Sequence, residues 1–83
     1  MSTLSVIVIT LNEERHIAAC LESVGWADEI IVVDAESKDE TVAIARRFTA
    51  RVFIEKFRGY SGQKNFALAQ ARGEWVLWLD ADE

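Results

Sequence analysis

Eighty-three residues, 51% of them hydrophobic, allow one small domain with a thin margin of stability. The net charge of −5 argues against nucleic acid as a partner, and no apolar run reaches the ~20 residues that span a bilayer. The single cysteine, Cys20, excludes an internal disulfide, and the N-terminus lacks the features of a secretion signal. We therefore expect a cytoplasmic protein.

Apolar segments rich in β-branched residues alternate with helical segments along the chain. Strands are predicted at residues 4–10, 29–35, 51–55 and 74–79, and the last helix at residues 63–71. Asn12 is predicted to cap the first helix, Ser37 and Glu40 to form a capping box before the second, and Gly73 to end the third. The order β-α-β-α-β-α-β predicts one α/β domain, a three-layer parallel sheet with helices on both faces.

Polar residues follow the predicted strands at the point where each strand ends. Thr10 and Asn12 follow the first strand, Asp34 the second, and Asp80 and Asp82 the fourth. A basic loop with glycines follows the third. Because ligands of open parallel sheets bind beyond the carboxyl ends of the strands, these positions predict a single site.

Asp34 comes directly off an apolar run, so its carboxylate is expected to be partly buried and to need a partner. An ionised carboxylate only accepts hydrogen bonds, and a nucleobase N–H would be a suitable donor. The alternative is structural, because acidic residues often follow strands to cap helices. We favour the ligand-binding role.

Positive charge is concentrated in residues 38–72, which hold eight of the nine Lys and Arg and three acidic residues. Within this segment, residues 59–65 (GYSGQKN) combine glycines, a helix start and Lys64, which would suit a phosphate group. The spacing matches neither a P-loop nor a dinucleotide-binding turn, and ordinary flexible loops have a similar composition. Tyr60 would either stack on a base or cover the loop.

Asp80-Ala81-Asp82 comes at the end of the apolar fourth strand. Two carboxylates at this spacing can hold Mg²⁺ or Mn²⁺ when water and diphosphate oxygens complete the coordination. The alternative is a solvated acidic terminus, which the strand directly before the motif disfavours.

Three ordered motifs, SVIVITLNEE, IIVVDAESKDET and GQKNFALAQARGEWVLWLDADE, together resemble the N-terminal part of family 2 glycosyltransferases. The resemblance covers nearly the whole chain and is closest to bacterial lipopolysaccharide-core glucosyltransferases. It implies the Rossmann-like N-terminal part of a GT-A fold, with strand order 3-2-1-4. It also implies a nucleotide-diphospho-sugar donor, UDP-linked by our expectation, a Mn²⁺ or Mg²⁺ cofactor, and a glycan or lipid-linked acceptor.

The same resemblance implies which residues bind the donor. They are Thr10, Leu11 and Asn12 for the base pocket, Asp34 for base or ribose, Lys64 for nucleotide or diphosphate, and Asp80 and Asp82 for ribose and metal. Ala35 stands where many members have a second Asp, and Leu11 where many have an aromatic residue. The catalytic base and the acceptor site of the family lie further along the chain, so we expect no catalytic residue here and interpret the chain as a fragment without transfer activity.

We therefore expect the donor-binding part of an inverting glycosyltransferase of the cell envelope, with the inner-membrane surface as an alternative location for the full-length protein. One alternative function is a nucleotide-binding module without enzymatic activity. Another is a haloacid-dehalogenase-like phosphatase, whose D-x-D strand opens the fold instead of following three βα units.

The fourth strand would lie at an edge of the sheet in the order 3-2-1-4. Its sequence EWVLWL has two Trp and no Lys or Pro, and an apolar edge favours pairing with another chain. We expect self-association through this strand, by edge pairing or by burial of Trp75 and Trp78 against a neighbour.

Overall fold

The computed structural model describes residues 3–57 and 59–81. Strands and helices alternate along this part of the chain as predicted. The strands are β1 (Leu4–Thr10), β2 (Glu29–Asp34), β3 (Val52–Ile54) and β4 (Trp75–Asp80), and the helices are α1 (Ile17–Ser23), α2 (Thr41–Ala45) and α3 (Tyr60–Gln70). None of the described helices is long and apolar enough to cross a membrane.

The four strands form one parallel sheet in the order β3-β2-β1-β4, which confirms the predicted α/β class and strand order. β1 pairs with β2 from Ser5 opposite Glu29 to Thr10 opposite Asp34. On its other side, β1 pairs with β4 and places Ile9 opposite Asp80. The carboxyl ends of β1, β2 and β4 therefore meet at one edge of the sheet, where the sequence predicts the site.

Both faces of the sheet are covered, because the central strands project apolar side chains to both sides. The core under α1 and α2 contains alternating strand positions and helix residues, among them Val6, Val8, Ile17, Leu21, Val32 and Ala45. The core under α3 contains the intervening positions, Ile7, Ile31 and Val33, together with Ala67. α3 packs on β1 and β2, and the first half of β4 stays exposed.

The predicted caps of the first two helices are wrong. α1 begins at Ile17 and has no side-chain cap from Asn12, and α2 begins at Thr41 with no cap from Ser37. Asp39 instead accepts a hydrogen bond from the backbone N–H of Thr41 at 2.9 Å. Asn12 and Ser37 are short polar side chains that bind the neighbouring loop, so they are not available to their own helices.

The third helix also differs from its prediction at both ends. α3 begins at Tyr60 rather than Gln63, so most of the supposed glycine loop is its first turn, preceded by Gly59 at φ 86°. Gly73 does not end the helix, which finishes at Gln70 and passes into extended backbone. A Cβ on Gly73 would lie 2.7 Å from the backbone nitrogen of Ser5, so the glycine allows this connection to cross close to β1.

Glu29 ties together the amino-terminal edge of the sheet, away from the predicted site. Its carboxylate accepts hydrogen bonds from the Ser5 hydroxyl at 2.8 Å and the Arg72 backbone N–H at 2.9 Å, and it pairs with the Arg51 guanidinium. Burial raises the pKa of Glu29, but the hydrogen bonds from Arg72, Ser5 and Arg51 and the charge of Arg51 outweigh burial and hold the pKa below its usual value. One carboxylate thus joins β1 and β2 to the segments that lead into β3 and β4.

Candidate functional site

A cleft of about 660 Å³ opens at the carboxyl edge of the sheet. Small-molecule sites in proteins are commonly about 300–1,000 Å³, so this volume suits a ligand the size of a nucleotide. Residues from the ends of β1, β2 and β4 and from the β3–α3 segment line it, namely Ile9, Thr10, Leu11, Glu13, Ala35, Phe57, Tyr60, Trp78, Asp80 and Ala81.

The predicted site residues fall into three groups. Thr10, Leu11 and Asp80 line the cleft. Asn12, Asp34 and Lys64 do not line it, but each is bonded to or adjacent to a residue that does. Asp82 lies outside the described residues. Leu11 and Ala35, where the sequence departs from many family members, both line the cleft.

Asp34 is fully buried behind Thr10. Its carboxylate accepts hydrogen bonds from the Thr10 hydroxyl at 2.6 Å, the Ser37 backbone N–H at 2.6 Å and the Ser37 hydroxyl. These donors use most of the roughly four lone-pair sites of a carboxylate. In this arrangement Asp34 holds Thr10 against the cleft and fixes the turn after β2.

Asn12 joins the loop after β1 to the loop after β2, and we call these two loops (residues 11–13 and 35–38) the rim. Asn12 Oδ1 accepts a hydrogen bond from the Lys38 backbone N–H at 2.8 Å, and the backbone N–H of Asn12 donates to the Ser37 hydroxyl at 2.7 Å. Asn12 at φ 52° and Glu36 at φ 61° adopt the left-handed conformation, which asparagine tolerates but which is costly for a glutamate. The rim is therefore one connected structure.

Asp80 is the described carboxylate best placed to hold a metal ion. It lines the cleft, and its side chain has no hydrogen-bond or ion-pair partner within residues 3–57 and 59–81. Glu13 lines the same cleft, with Oε2 3.5 Å from Nδ1 of His16. The described residues contain no group of three or more metal-binding side chains. The hard oxygen donor of Asp80 fits Mg²⁺ or Mn²⁺, provided that Asp82, water and the ligand complete the coordination.

Lys64 is connected to the cleft through Trp78. Lys64 Nζ lies 4.7 Å from the centre of the Trp78 ring, and Trp78 lines the cleft on the same face of β4 as Asp80. Trp78 also packs against the core under α3 and is partly buried there, so less of its ring is available to a neighbouring chain than that of the exposed Trp75. Its spacing of two residues from Asp80 is the sequence signal that places it at the site.

Phe57 and Tyr60 add an aromatic wall that the sequence indicates only weakly. Their rings meet edge to face, with centroids 5.5 Å apart, and both remain exposed. Tyr60 lies in the first turn of α3, and Phe57 in the segment before it. Exposed aromatic rings on a cleft are suited to packing on a base or a sugar.

The family is decided by residues 5–83, which match the family model described as Glycosyl transferase family 2. The chain belongs to this glycosyltransferase family. This match excludes the alternative of a haloacid-dehalogenase-like phosphatase. The matched residues include both the rim and the Asp80-x-Asp82 motif.

Relatives of known sequence agree with this assignment. The chain is 46% identical over 84 residues to an uncharacterized glycosyltransferase of Rickettsia felis, covering 100% of this chain and 30% of that protein. It is 41% identical over 85 residues to the lipopolysaccharide core biosynthesis glycosyltransferase LpsC of Rhizobium meliloti, covering 96% of this chain and 32% of that protein. The chain thus spans about a third of the length of these relatives.

Solved structures of GT-A glycosyltransferases have the same fold. Mannosyl-3-phosphoglycerate synthase from Rubrobacter xylanophilus superposes with a TM-score of 0.87 at 26% identity, over 98% of this chain and 31% of that chain. Glucosyl-3-phosphoglycerate synthase from Mycobacterium tuberculosis, in complex with Mg²⁺ and UDP, gives 0.80 at 30% identity, over 96% of this chain and 33% of that chain.

Proposed function

We propose that this chain binds the nucleoside-diphosphate part of a UDP-sugar, and that the full-length protein transfers the sugar to an acceptor hydroxyl with inversion. The observation that carries the proposal is the position of the cleft. It lies between β1 and β4, where the strand order reverses, and open α/β sheets bind ligands at this switch point. The similarity to LpsC supports an acceptor in lipopolysaccharide or another cell-envelope saccharide.

The base end of the donor is assigned to the rim and the aromatic wall. Thr10 and Leu11 contribute to one side of the cleft, and Phe57 and Tyr60 contribute aromatic surface that would pack on uracil or ribose. Asp34 and Asn12 support the rim from behind. A direct hydrogen bond from a uracil N–H to Asp34 would require the carboxylate to exchange one of its present donors.

The diphosphate end is assigned to Asp80, Asp82 and Lys64. Among the residues that the structure describes, the Asp80 carboxylate has no partner and is available to metal and ribose, and Asp82 is two residues further along. A bound Mn²⁺ or Mg²⁺ supplies charge neutralisation for the departing diphosphate. Lys64 adds positive charge near the same part of the donor. The attacking hydroxyl would be deprotonated by a base outside these residues, and the nucleotide would leave from the opposite side of the anomeric carbon.

The proposal is tested by NMR titration of the isolated chain with UDP and Mg²⁺, which is diamagnetic and leaves the signals near the cleft observable. The signals of Thr10, Leu11, Asn12, Asp34, Lys64 and Asp80 should move together. Shifts confined to residues far from the cleft would refute a single site at this edge.

The metal assignment is tested by calorimetry on Asp80→Asn and Asp82→Asn. Both variants should lose the Mn²⁺ dependence of UDP binding, and Asp82→Asn, which removes a metal ligand only, should bind uridine as the wild type does. Glu22→Gln removes an exposed carboxylate of α1 and is the matched control. Full Mn²⁺ dependence in both aspartate variants would place the metal elsewhere.

A further inference from the structure

Trp78 carries a buried polar group that has no use in the fold. Its indole Nε1–H is inaccessible to solvent and has no hydrogen-bond partner among the described residues. The ring packs beside the core formed by Ile7, Ile31, Val33 and Ala67. A buried donor without an acceptor costs stability, and a phenyl ring would occupy much of the same space without that cost. Packing alone therefore does not explain a tryptophan at this position.

An indole binds a cation better than a phenyl ring does. Lys64 Nζ lies 4.7 Å from the centre of the Trp78 ring, inside the roughly 6 Å at which this attraction is significant. Within residues 3–57 and 59–81, Lys64 forms no ion pair with a carboxylate. In the part of the chain that the structure describes, the ring of Trp78 is thus the group that holds the ammonium of Lys64.

The Lys64–Trp78 pair lies beside the cleft. Trp78 lines the cleft, and Asp80 follows two residues later on the same face of β4. We propose that Trp78 is a positioning residue, which holds the Lys64 ammonium beside the cleft for the diphosphate of the donor. This inference rests on the proposed function.

Positioning matters because a free lysine side chain loses conformational freedom when it binds a phosphate. A lysine that is already held against a ring loses less, so the complex is more stable by that difference. The gain applies to the anionic part of the ligand and not to the base. UDP and uridine therefore separate a role in positioning Lys64 from a role in shaping the cleft.

The test measures the affinity of the chain for UDP and for uridine by calorimetry, with Mn²⁺ at fixed ionic strength. Trp78→Leu removes the ring and should weaken UDP binding about three- to tenfold more than it weakens uridine binding. Trp78→Phe keeps a ring that binds a cation more weakly, and its affinity for UDP should lie between those of the wild type and of Trp78→Leu. In the Lys64→Met background, Trp78→Leu should have no further effect on UDP binding.

Trp75→Leu is the matched control, because Trp75 is an exposed tryptophan of the same strand that does not line the cleft. It should bind both ligands as the wild type does. The inference is overturned if Trp78→Leu weakens UDP and uridine equally, or if its effect on UDP persists in the Lys64→Met background.

Trp78→Phe keeps the test decisive if Trp78→Leu does not fold, because it removes the unpaired donor and retains an aromatic ring. Wild-type affinity for UDP in Trp78→Phe would overturn the preference for indole on which the inference rests. A wild-type chain that binds uridine and UDP equally would overturn the role of Lys64, and a wild-type chain that binds neither would overturn the proposed function itself.

Discussion

Asp34 ends the apolar strand β2 and is fully buried. Its carboxylate accepts hydrogen bonds from Thr10 and Ser37. Two roles for Asp34 in the proposed donor site are compatible with this arrangement. Asp34 can bind the nucleotide directly, or it can hold the Thr10 side chain and the rim in the shape that the nucleotide requires. In the proposed function, both roles would act at the base end of the donor and not at the metal.

We expect Asp34→Ala to lower the free energy of unfolding by about 1–3 kcal/mol, because buried donors lose their acceptor. The affinities for uridine and for UDP should fall by the same factor, and the Mn²⁺ dependence of UDP binding should persist. Chemical denaturation and calorimetry measure the two effects. Thr10→Ser keeps the hydroxyl that donates to Asp34 and should change both the stability and the binding affinities much less. Loss of the Mn²⁺ dependence in Asp34→Ala would contradict this division between base and metal.

At the scale of the elements, the amino-terminal edge of the sheet is held together by hydrogen bonds to the side chains of Glu29 and Ser5. Glu29 gathers donors from Ser5, Arg51 and Arg72, and the Ser5 hydroxyl in turn accepts the backbone N–H of Gly73 at 2.8 Å. The connection from α3 to β4 therefore lies directly against β1. The contact between Gly73 and Ser5 fixes the start of β4, and thereby the position of Asp80 at the opposite edge of the sheet.

Gly73→Ala should destabilise the chain by about 1–3 kcal/mol, the usual cost of overpacking. The added Cβ would lie 2.7 Å from the nitrogen and from the hydroxyl of Ser5, and backbone cannot yield as a flexible side chain does. Gly25→Ala is the control, because its Cβ would meet only the Glu22 carbonyl at 3.5 Å, an ordinary contact. Thermal unfolding of the two variants should differ clearly, and equal stability would mean that the 70–74 connection is not held against β1.

Glu29→Gln should lower the free energy of unfolding by about 1 kcal/mol at neutral pH, since the carboxylate loses its charge-assisted bonds. The pKa of Glu29 is depressed in the folded state, so its contribution is present above the unfolded-state pKa, near 4.5, and is lost as pH falls through the folded-state pKa. Denaturation curves of wild type and variant should therefore converge as the solution is acidified below pH 4.5. A difference that stays constant down to low pH would show that the ionised form contributes nothing.

At the scale of the whole molecule, β4 is the part of the sheet with the least cover. It pairs with β1 on one side only, and Trp75, Val76 and Leu77 are exposed on it. Trp78 is engaged within the chain, which limits the predicted self-association to the first half of the strand. An apolar strand edge of this kind favours pairing with a second strand.

We predict that the isolated chain self-associates through this half of β4, more strongly as ionic strength rises. Salt screens the repulsion between chains of net charge −5, while the apolar contact is unaffected. Sedimentation equilibrium over a range of salt and protein concentrations measures it. Leu77→Lys should abolish association, whereas Leu68→Lys on α3 should not, although both leucines are 39% exposed. A monomer at millimolar concentration in high salt would contradict the prediction.

The amino-acid sequence by itself determines the class of fold and the edge of the sheet at which the cleft lies. Burial on both faces of a sheet requires continuous apolar strands, and parallel strands require helical crossovers, so the pattern of the chain specifies a parallel α/β sheet. Thr10, Asp34 and Asp80 follow or end such strands, and they accordingly meet at one edge. The strand order came from the family resemblance, because periodicity does not say on which side of β1 the fourth strand lies.

Only the tertiary structure decided which polar groups meet. Asn12 bonds to groups 25 and 26 residues away, so the prediction that it caps its own helix was wrong. Lys64 on α3 contacts a ring on β4, which rules based on neighbouring residues do not predict. The physical reason is competition. A short polar side chain can satisfy its own helix or a distant backbone group equally well, and packing of the sheet determines which acceptor or donor comes within reach.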